Sequence, residues 1–177
     1  MGRPSENPPA TVQRRRVVVD VYLLLAKDGR VLLSKRDGTG YGDGAYEPPS
    51  GQLADRETIV ETAVRIASGA GLVIHPENVT LAHVMHDVSG SGRIAFFLTV
   101  SGWDGQEETA TARWFPLGEL PTNMLDRARV ALRHYADGER FSTYPAFGPA
   151  HLASLARRGP RHPRNAGWPF TLSSPAG

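Results

Sequence analysis

A chain of 177 residues, 40% of them hydrophobic and 21% charged, has the material for one globular core with tails. The longest apolar run, residues 17–26, is broken by Asp20 and falls short of the roughly 18 residues a membrane-spanning helix needs, so an integral membrane protein is not expected. Zero cysteines exclude disulfides, thiolate zinc sites, iron–sulfur clusters and a cysteine nucleophile, and the total charge of +2 hides basic ends around an acidic body: net +3 over 1–16, −5 over 17–147 and +4 over 148–177.

In chain order, residues 1–12 are rich in Pro, Ser and Asn and read as a disordered tail without the apolar core of a signal peptide, which makes the cytoplasm the expected compartment. The folded body is expected over 13–147. Residues 16–26 and 30–36 are apolar and β-branched on either side of Lys27-Asp28-Gly29, the pattern of a β-hairpin. A glycine-rich loop follows over 37–51. Ile59, Ala63, Ile66 and Ala67 recur at helical spacing within 57–70, the one strong helix of the first half. Residues 79–88 and 93–101 form a second hairpin around a Ser-Gly-Ser-Gly turn, 111–115 a short strand, and 123–136 a second amphipathic helix with Leu125, Ala128, Leu132 and Tyr135 inward. Strands, helix, strands, helix give an α+β sandwich with a mixed sheet. Residues 148–177 form a basic, Pro- and Gly-rich extension in which 149–157 has the spacing of a short helix.

This order of elements resembles the Nudix (MutT-like) hydrolase superfamily, whose signature box carries Gly, Glu and Arg at the spacing of Gly51, Glu57 and Arg65. The stretch 40–51 resembles the segment that in many bacterial members leads into a Leu-Pro-Gly-Gly turn, and the His83-Val84-Met85-His86 run and 113–117 followed by Leu120-Pro121 resemble members of one bacterial subgroup, so the likeness covers about 130 residues. It implies an α/β/α sandwich with a mixed β-sheet. It also implies a diphosphate-cleaving site in which helix glutamates hold magnesium. Here the box departs from the family: Ile66 follows Arg65, and Gly69 and Ala70, or Ser68 and Gly69 after a one-residue shift, stand where a Glu-Glu pair is wanted.

Magnesium is bound through carboxylate and water oxygens, and neither isoleucine nor glycine offers a side-chain oxygen. Metal-dependent hydrolysis is therefore expected to be absent or very weak, with no metal ligands and no cofactor assigned. The box remnants are Gly51, Glu57, Glu61 and Arg65. The last three share one helix stripe, where the resemblance gives Glu57 and Arg65 a bracing role and leaves a single-metal site on Glu57 and Glu61 as the alternative.

Three residues are the catalytic candidates. Glu47, between Tyr46 and Pro48-Pro49, is placed to act as a shielded acid or base. In a strand His83 and Asp87 share a face while His86 points the other way, which excludes a shared ion without a bulge and leaves a His83–Asp87 acid–base dyad. Tyr41, Tyr46, Ser50, Gly51 and His86 are the substrate-contact candidates, and Tyr22 is a further cleft aromatic. Glu107 and Glu108 remain as late-loop carboxylates for residual activity.

Three functions follow. The first is a divergent enzyme acting on a small, phosphate-bearing or biosynthetic molecule in the old cleft without magnesium. The others are a non-catalytic nucleotide- or ligand-binding module and a weak residual diphosphatase. A small molecule is the expected partner, with no membrane, a homodimer left open, and nucleic-acid binding by the arginine-rich tail ranked last.

Overall fold

A computed structural model describes residues 16–38, 40–89 and 92–145. The tail over 1–12, the turn residues Gly90 and Ser91, the helix expected over 149–157 and the extension 148–177 lie outside the described residues.

The first strand, β1 (Val18–Leu24), alternates strictly between two cores. Val21 and Leu23 face one hydrophobic cluster, Tyr22 and Leu24 the other. The chain then bends into the short β2 (Ala26–Lys27) and returns as β3 (Arg30–Lys35), pairing Ala26 with Val31 and Lys27 with Arg30. Asp28 and Gly29 both have positive φ, 51° and 70°, the backbone twist that a two-residue hairpin turn needs. Only the tip of the expected hairpin is a ladder, because β1 leaves to join a different sheet from β3.

Two short strands, β4 (Tyr46–Glu47) and β5 (Ser50–Gln52), replace part of the expected glycine-rich loop. Glu47 pairs with Ser34 of β3, and Ser50 with Tyr22 of β1. The helix α1 (Ile59–Gly69) starts at Thr58, whose hydroxyl accepts from the Glu61 amide while the Glu61 carboxylate accepts from the Thr58 amide, a reciprocal capping box. Further on come β6 (Leu72–Ile74), β7 (Val79–Asp87), β8 (Arg93–Val100), β9 (Trp103–Gly105), β10 (Ala112–Pro116), α2 (Asp126–Ala136) and β11 (Phe141–Tyr144). Strands β6, β9 and β11, of three, three and four residues, are not among the expected elements.

Strands β11, β7, β8, β1 and β5 form one mixed sheet, in which β1–β8 and β11–β7 are parallel and the other pairs antiparallel. Strand β3 joins β10, β2 and β4 in a second sheet, and β6 pairs with β9. Ala63, Ile66 and Ala67 of α1 pack with Val21, Leu23, Leu98 and Val100 on one face of the five-stranded sheet, and Ala128, Ala131 and Leu132 of α2 with Tyr22, Leu24, Met85 and Phe97 on the other. That is an α/β/α sandwich. Gly51 lets β5 lie against α1, since a Cβ there would meet Ile66 Cγ1 at 3.1 Å. No helix among the described residues is long and apolar enough to cross a membrane.

Candidate functional site

At the meeting of β1, β3, β4, β5, β8 and α2 lies a cleft of about 570 Å³. Its lining carries Lys35, Arg36, Arg93 and Arg127 against Asp20, Asp37 and Glu47. Asp20, 6% exposed in the middle of an apolar strand, is held by Arg93 through two hydrogen bonds of 2.7 and 2.9 Å from Nε and Nη2. A carboxylate buried there needs such a partner, because an unpaired charge out of water costs several kcal/mol.

Glu47 is 4% exposed. Its Oε1 accepts from Arg36 Nη1 and, at 3.1 Å, from Ser50 Oγ, while Oε2 is buried without a hydrogen bond. Opposite in charge, Arg127 enters from α2, 4.0 Å from Asp87 Oδ2, and its Nε–H is likewise buried without an acceptor. The two are brought to one cleft because Tyr46 bridges to Met124, its amide donating to Asn123 O and its carbonyl accepting from Leu125 N just before α2 begins. The Tyr22 phenol interacts with both groups; burial first, then the Glu47 charge, raise its pKa, so it remains a neutral O–H. Its ring stacks on Phe97 with centroids 4.6 Å apart.

Glu47, Ser50 and Gly51 line this cleft, as does Tyr22, whereas Tyr41, Tyr46, His83, His86 and Asp87 do not. Tyr41 is 68% exposed, and Tyr46 packs edge-on against Phe115 with centroids 5.0 Å apart. His83 and Asp87 do share the buried face of β7, and His86 lies on its other face. The expected dyad is nonetheless not formed. Four residues along a strand span about 13 Å, beyond any hydrogen bond, and each side chain has partners of its own. His83, 0% exposed, ties β7 to the segment around β11: Nδ1–H donates to Glu139 O at 2.8 Å, and Nε2 sits 2.8 Å from Ser142 Oγ. Asp87 accepts from the Ser89 amide at 2.8 Å and from the Ser89 hydroxyl.

Burial lowers the His83 pKa, the reverse of what a carboxylate partner would do. The unfolded ring takes up a proton as pH falls through about 6.5, whereas the buried ring resists until lower pH. Stability is therefore expected to be complete above about pH 6.5 and to decline below it as pH falls toward the depressed native value. Urea unfolding at several pH values should show this decline, and His83→Gln should lose it; an unchanged slope in the variant would assign it to another group.

Residues of the α1 segment are committed to structure. Glu57 accepts from Arg65 Nε and Nη2, both at 2.7 Å, from Thr62 Oγ1 at 2.8 Å and from the Ala54 amide at 3.2 Å. The Arg65 guanidinium first, and then the Thr62 hydroxyl, hold the Glu57 carboxyl down at about 2. Arg65 also donates to Gln52 O at 2.9 Å, pinning β5 to the helix. The Glu61 carboxylate accepts from the Thr58 amide and hydroxyl at 2.7 and 2.8 Å. Glu107, in the late loop, accepts from the indoles of Trp103 and Trp114 at 3.0 and 3.2 Å. Among the described residues no three His, Asp or Glu side chains gather where they would hold a metal ion. The donor set does not fit a helix-held magnesium: Ile66, Gly69 and Ala70 carry no oxygen, and both helix glutamates serve caps and braces.

With strand order, helix placement and cleft defined, comparison with solved structures places the architecture. The chain has the Nudix fold. It is similar to a MutT Nudix hydrolase from Burkholderia pseudomallei, at 21% identity and a TM-score of 0.58 over 67% of this chain and 98% of that one. A MutT protein from Bacillus halodurans matches at 17% identity and a TM-score of 0.57, over 76% of this chain and 92% of that one. An ADP compounds hydrolase matches at 15% identity and 0.54, over 71% and 76%. No family profile matches the sequence, and no curated protein does.

Of the cleft residues, sequence reasoning assigned no role to Lys35, Arg36, Asp37, Arg93 or Arg127, and noted Asp20 only as a break in an apolar run. A signal existed for one pair. An aspartate inside a strand that otherwise reads as buried demands a cation nearby, and Arg93 opens the strand that pairs with it. Arg127 carried no such signal, because an arginine on an amphipathic helix ordinarily faces water.

Proposed function

We propose that this chain uses its Nudix-fold cleft to bind and turn over a small anionic molecule without a helix-held magnesium ion, with Glu47 exchanging the proton. The reading rests on one observation: two buried polar atoms of opposite kind, the acceptor Glu47 Oε2 and the donor Arg127 Nε–H, stand without partners on residues lining the same cleft. Leaving a buried polar group unpaired costs about 1–3 kcal/mol, more when it is charged, so folds rarely tolerate it without a ligand or water to complete the bond. A ligand that brings an O–H or N–H to Glu47 and an acceptor atom to Arg127, met by a turn of the two side chains toward the cleft, satisfies both.

The same placement supplies a proton transfer. Oε1 is pinned by Arg36 and Ser50, which leaves Oε2 to take the proton from the ligand; the carboxylate becomes the acid, and the negative charge left on the ligand falls to Arg127. Lys35, Arg36 and Arg93 add positive potential, partly neutralised by their acidic neighbours, so the lining totals one positive charge more than negative. An anion suits that balance. The solved structures it resembles include a MutT Nudix hydrolase, a MutT protein and an ADP compounds hydrolase, which supports a phosphate-bearing ligand as the first class to try. Binding without turnover is the second reading, favoured by the separation of His83 and Asp87 from the cleft, which leaves no histidine in its lining.

A panel of phosphate monoesters, sugar phosphates and nucleotides should be tested in chelator with the wild type, Glu47→Gln and Arg127→Leu, following affinity by calorimetry and products by phosphorus NMR. Arg127→Leu is expected to weaken binding about tenfold or more. Glu47→Gln should keep the affinity and lose turnover by about a hundredfold or more. Undiminished turnover in Glu47→Gln removes the proton-transfer role, and wild-type binding with unchanged ligand establishes the second reading.

A further inference from the structure

A second cleft of about 560 Å³ adjoins the first and shares Ser34, Ser50 and Gly69 with it. Its remaining walls come from Ile66 and Ala70 of the α1 region and from Thr109, Thr111 and Ala112 of the segment entering β10, with Arg65 at one side. Its chemistry differs from that of the first. No carboxylate lines it, and its one charge, Arg65, is already neutralised by Glu57. The other polar groups are hydroxyls. Thr109 Oγ1 is occupied by the amides of Thr111 and Ala112, at 3.2 and 3.0 Å, and Ser50 Oγ donates to Glu47, while Ser34 makes no side-chain hydrogen bond among the described residues.

The geometry points to a two-part ligand: an anionic head in the basic cleft beside Glu47 and Arg127, continued past Ser34 and Ser50 by an uncharged arm, compact and apolar or hydroxyl-bearing, over Ile66, Gly69 and Ala70. This inference rests on the reading of the first cleft given above. The unpartnered Arg127 Nε–H, with the basic lining around it, marks where the head binds, and the shared residues make the second cleft the neighbouring open volume into which the rest of the molecule extends. A charged arm is excluded by desolvation, since the second cleft has no free counter-charge to meet it. Each volume falls within the range of small-molecule sites.

Thr111, which lines the second cleft and not the first, gives the means of testing the arm separately from the head. Its side chain is exposed at the entry to β10, so Thr111→Phe narrows the second cleft without displacing the core, and phenylalanine is tolerated beside a strand. The probes are inorganic phosphate, which is a head alone, and phenyl phosphate, which adds an apolar arm. Calorimetry on the full chain should find phenyl phosphate bound about tenfold more tightly than phosphate by the wild type. Thr111→Phe should abolish that advantage, leave phosphate affinity within about twofold and leave the melting temperature unchanged. Equal wild-type affinities, or an advantage untouched by Thr111→Phe, would overturn the arm site alone. Failure of the wild type to bind either probe would overturn the anionic-head reading and this inference together.

Discussion

Phe97→Ala is expected to destabilise the fold by about 4 kcal/mol and to disorder the cleft at the same time. Phe97 is 1% exposed and sits in β8 between β1 and β7, opposite Tyr22 on one side and His83 on the other. Its ring stacks on Tyr22 at 4.6 Å with planes 10° apart, and its centroid lies 5.8 Å from that of His83. Truncation removes the transfer energy of an aromatic ring and leaves a void under α2 that a five-stranded sheet cannot close. Because Tyr22 lines the cleft, its wall loosens with the core. Urea denaturation should show the midpoint shift for Phe97→Ala, and Phe97→Leu should cost less because it refills part of the void. A loss below about 1 kcal/mol would mean that the site collapses, and that Tyr22 is held by something other than this stack.

Arg93→Ala is the second large effect, expected at about 3 kcal/mol. The loss comes less from the attraction given up than from the charge left behind, since Asp20 stays buried with neither of its guanidinium hydrogen bonds. Adding Asp20→Asn to Arg93→Ala should therefore recover part of the stability, a neutral amide being easier to leave unpaired than a carboxylate. A double-mutant cycle reads this directly. If Asp20→Asn makes Arg93→Ala worse, the pair is not the unit of stabilisation and Asp20 has another partner.

These two residues also show where the sequence was legible. The long elements declared themselves by pattern: α1 by Ile59, Ala63, Ile66 and Ala67 at helical spacing, β1 by a β-branched, apolar run, and the β7–β8 hairpin by two β-rich runs around Ser and Gly. Short strands did not. Tyr46–Glu47 and Ser50–Gln52 are two and three residues long, too short for any period, and exist because β3 and β1 offer them partners. Likewise Phe141–Tyr144 is a strand only because β7 lies beside it.

The cleft was legible in one half. Glu47, Ser50 and Gly51 belong to one continuous stretch, where proline, tyrosine and glycine mark a shaped loop, and local sequence carries that information. Arg36, Arg93 and Arg127 come from three separate elements and meet only through the sheet register and the Tyr46–Met124 bridge. For His83 and Asp87 the face was right and the chemistry was not: sharing a strand face says nothing of the 13 Å or so between residues four apart, nor of the Glu139 carbonyl and Ser142 hydroxyl that engage the ring.

The most direct measurement is a calorimetric titration of magnesium, and in parallel manganese, into the purified full chain, with phosphate release followed on a panel of nucleoside and sugar diphosphates. With Ile66, Gly69 and Ala70 lacking oxygens and Glu57 and Glu61 held by Arg65 and Thr58, the expected result is no saturable heat and no metal-dependent release. Saturable binding that disappears in Glu57→Gln or Glu61→Gln, accompanied by release, would contradict the metal-free cleft.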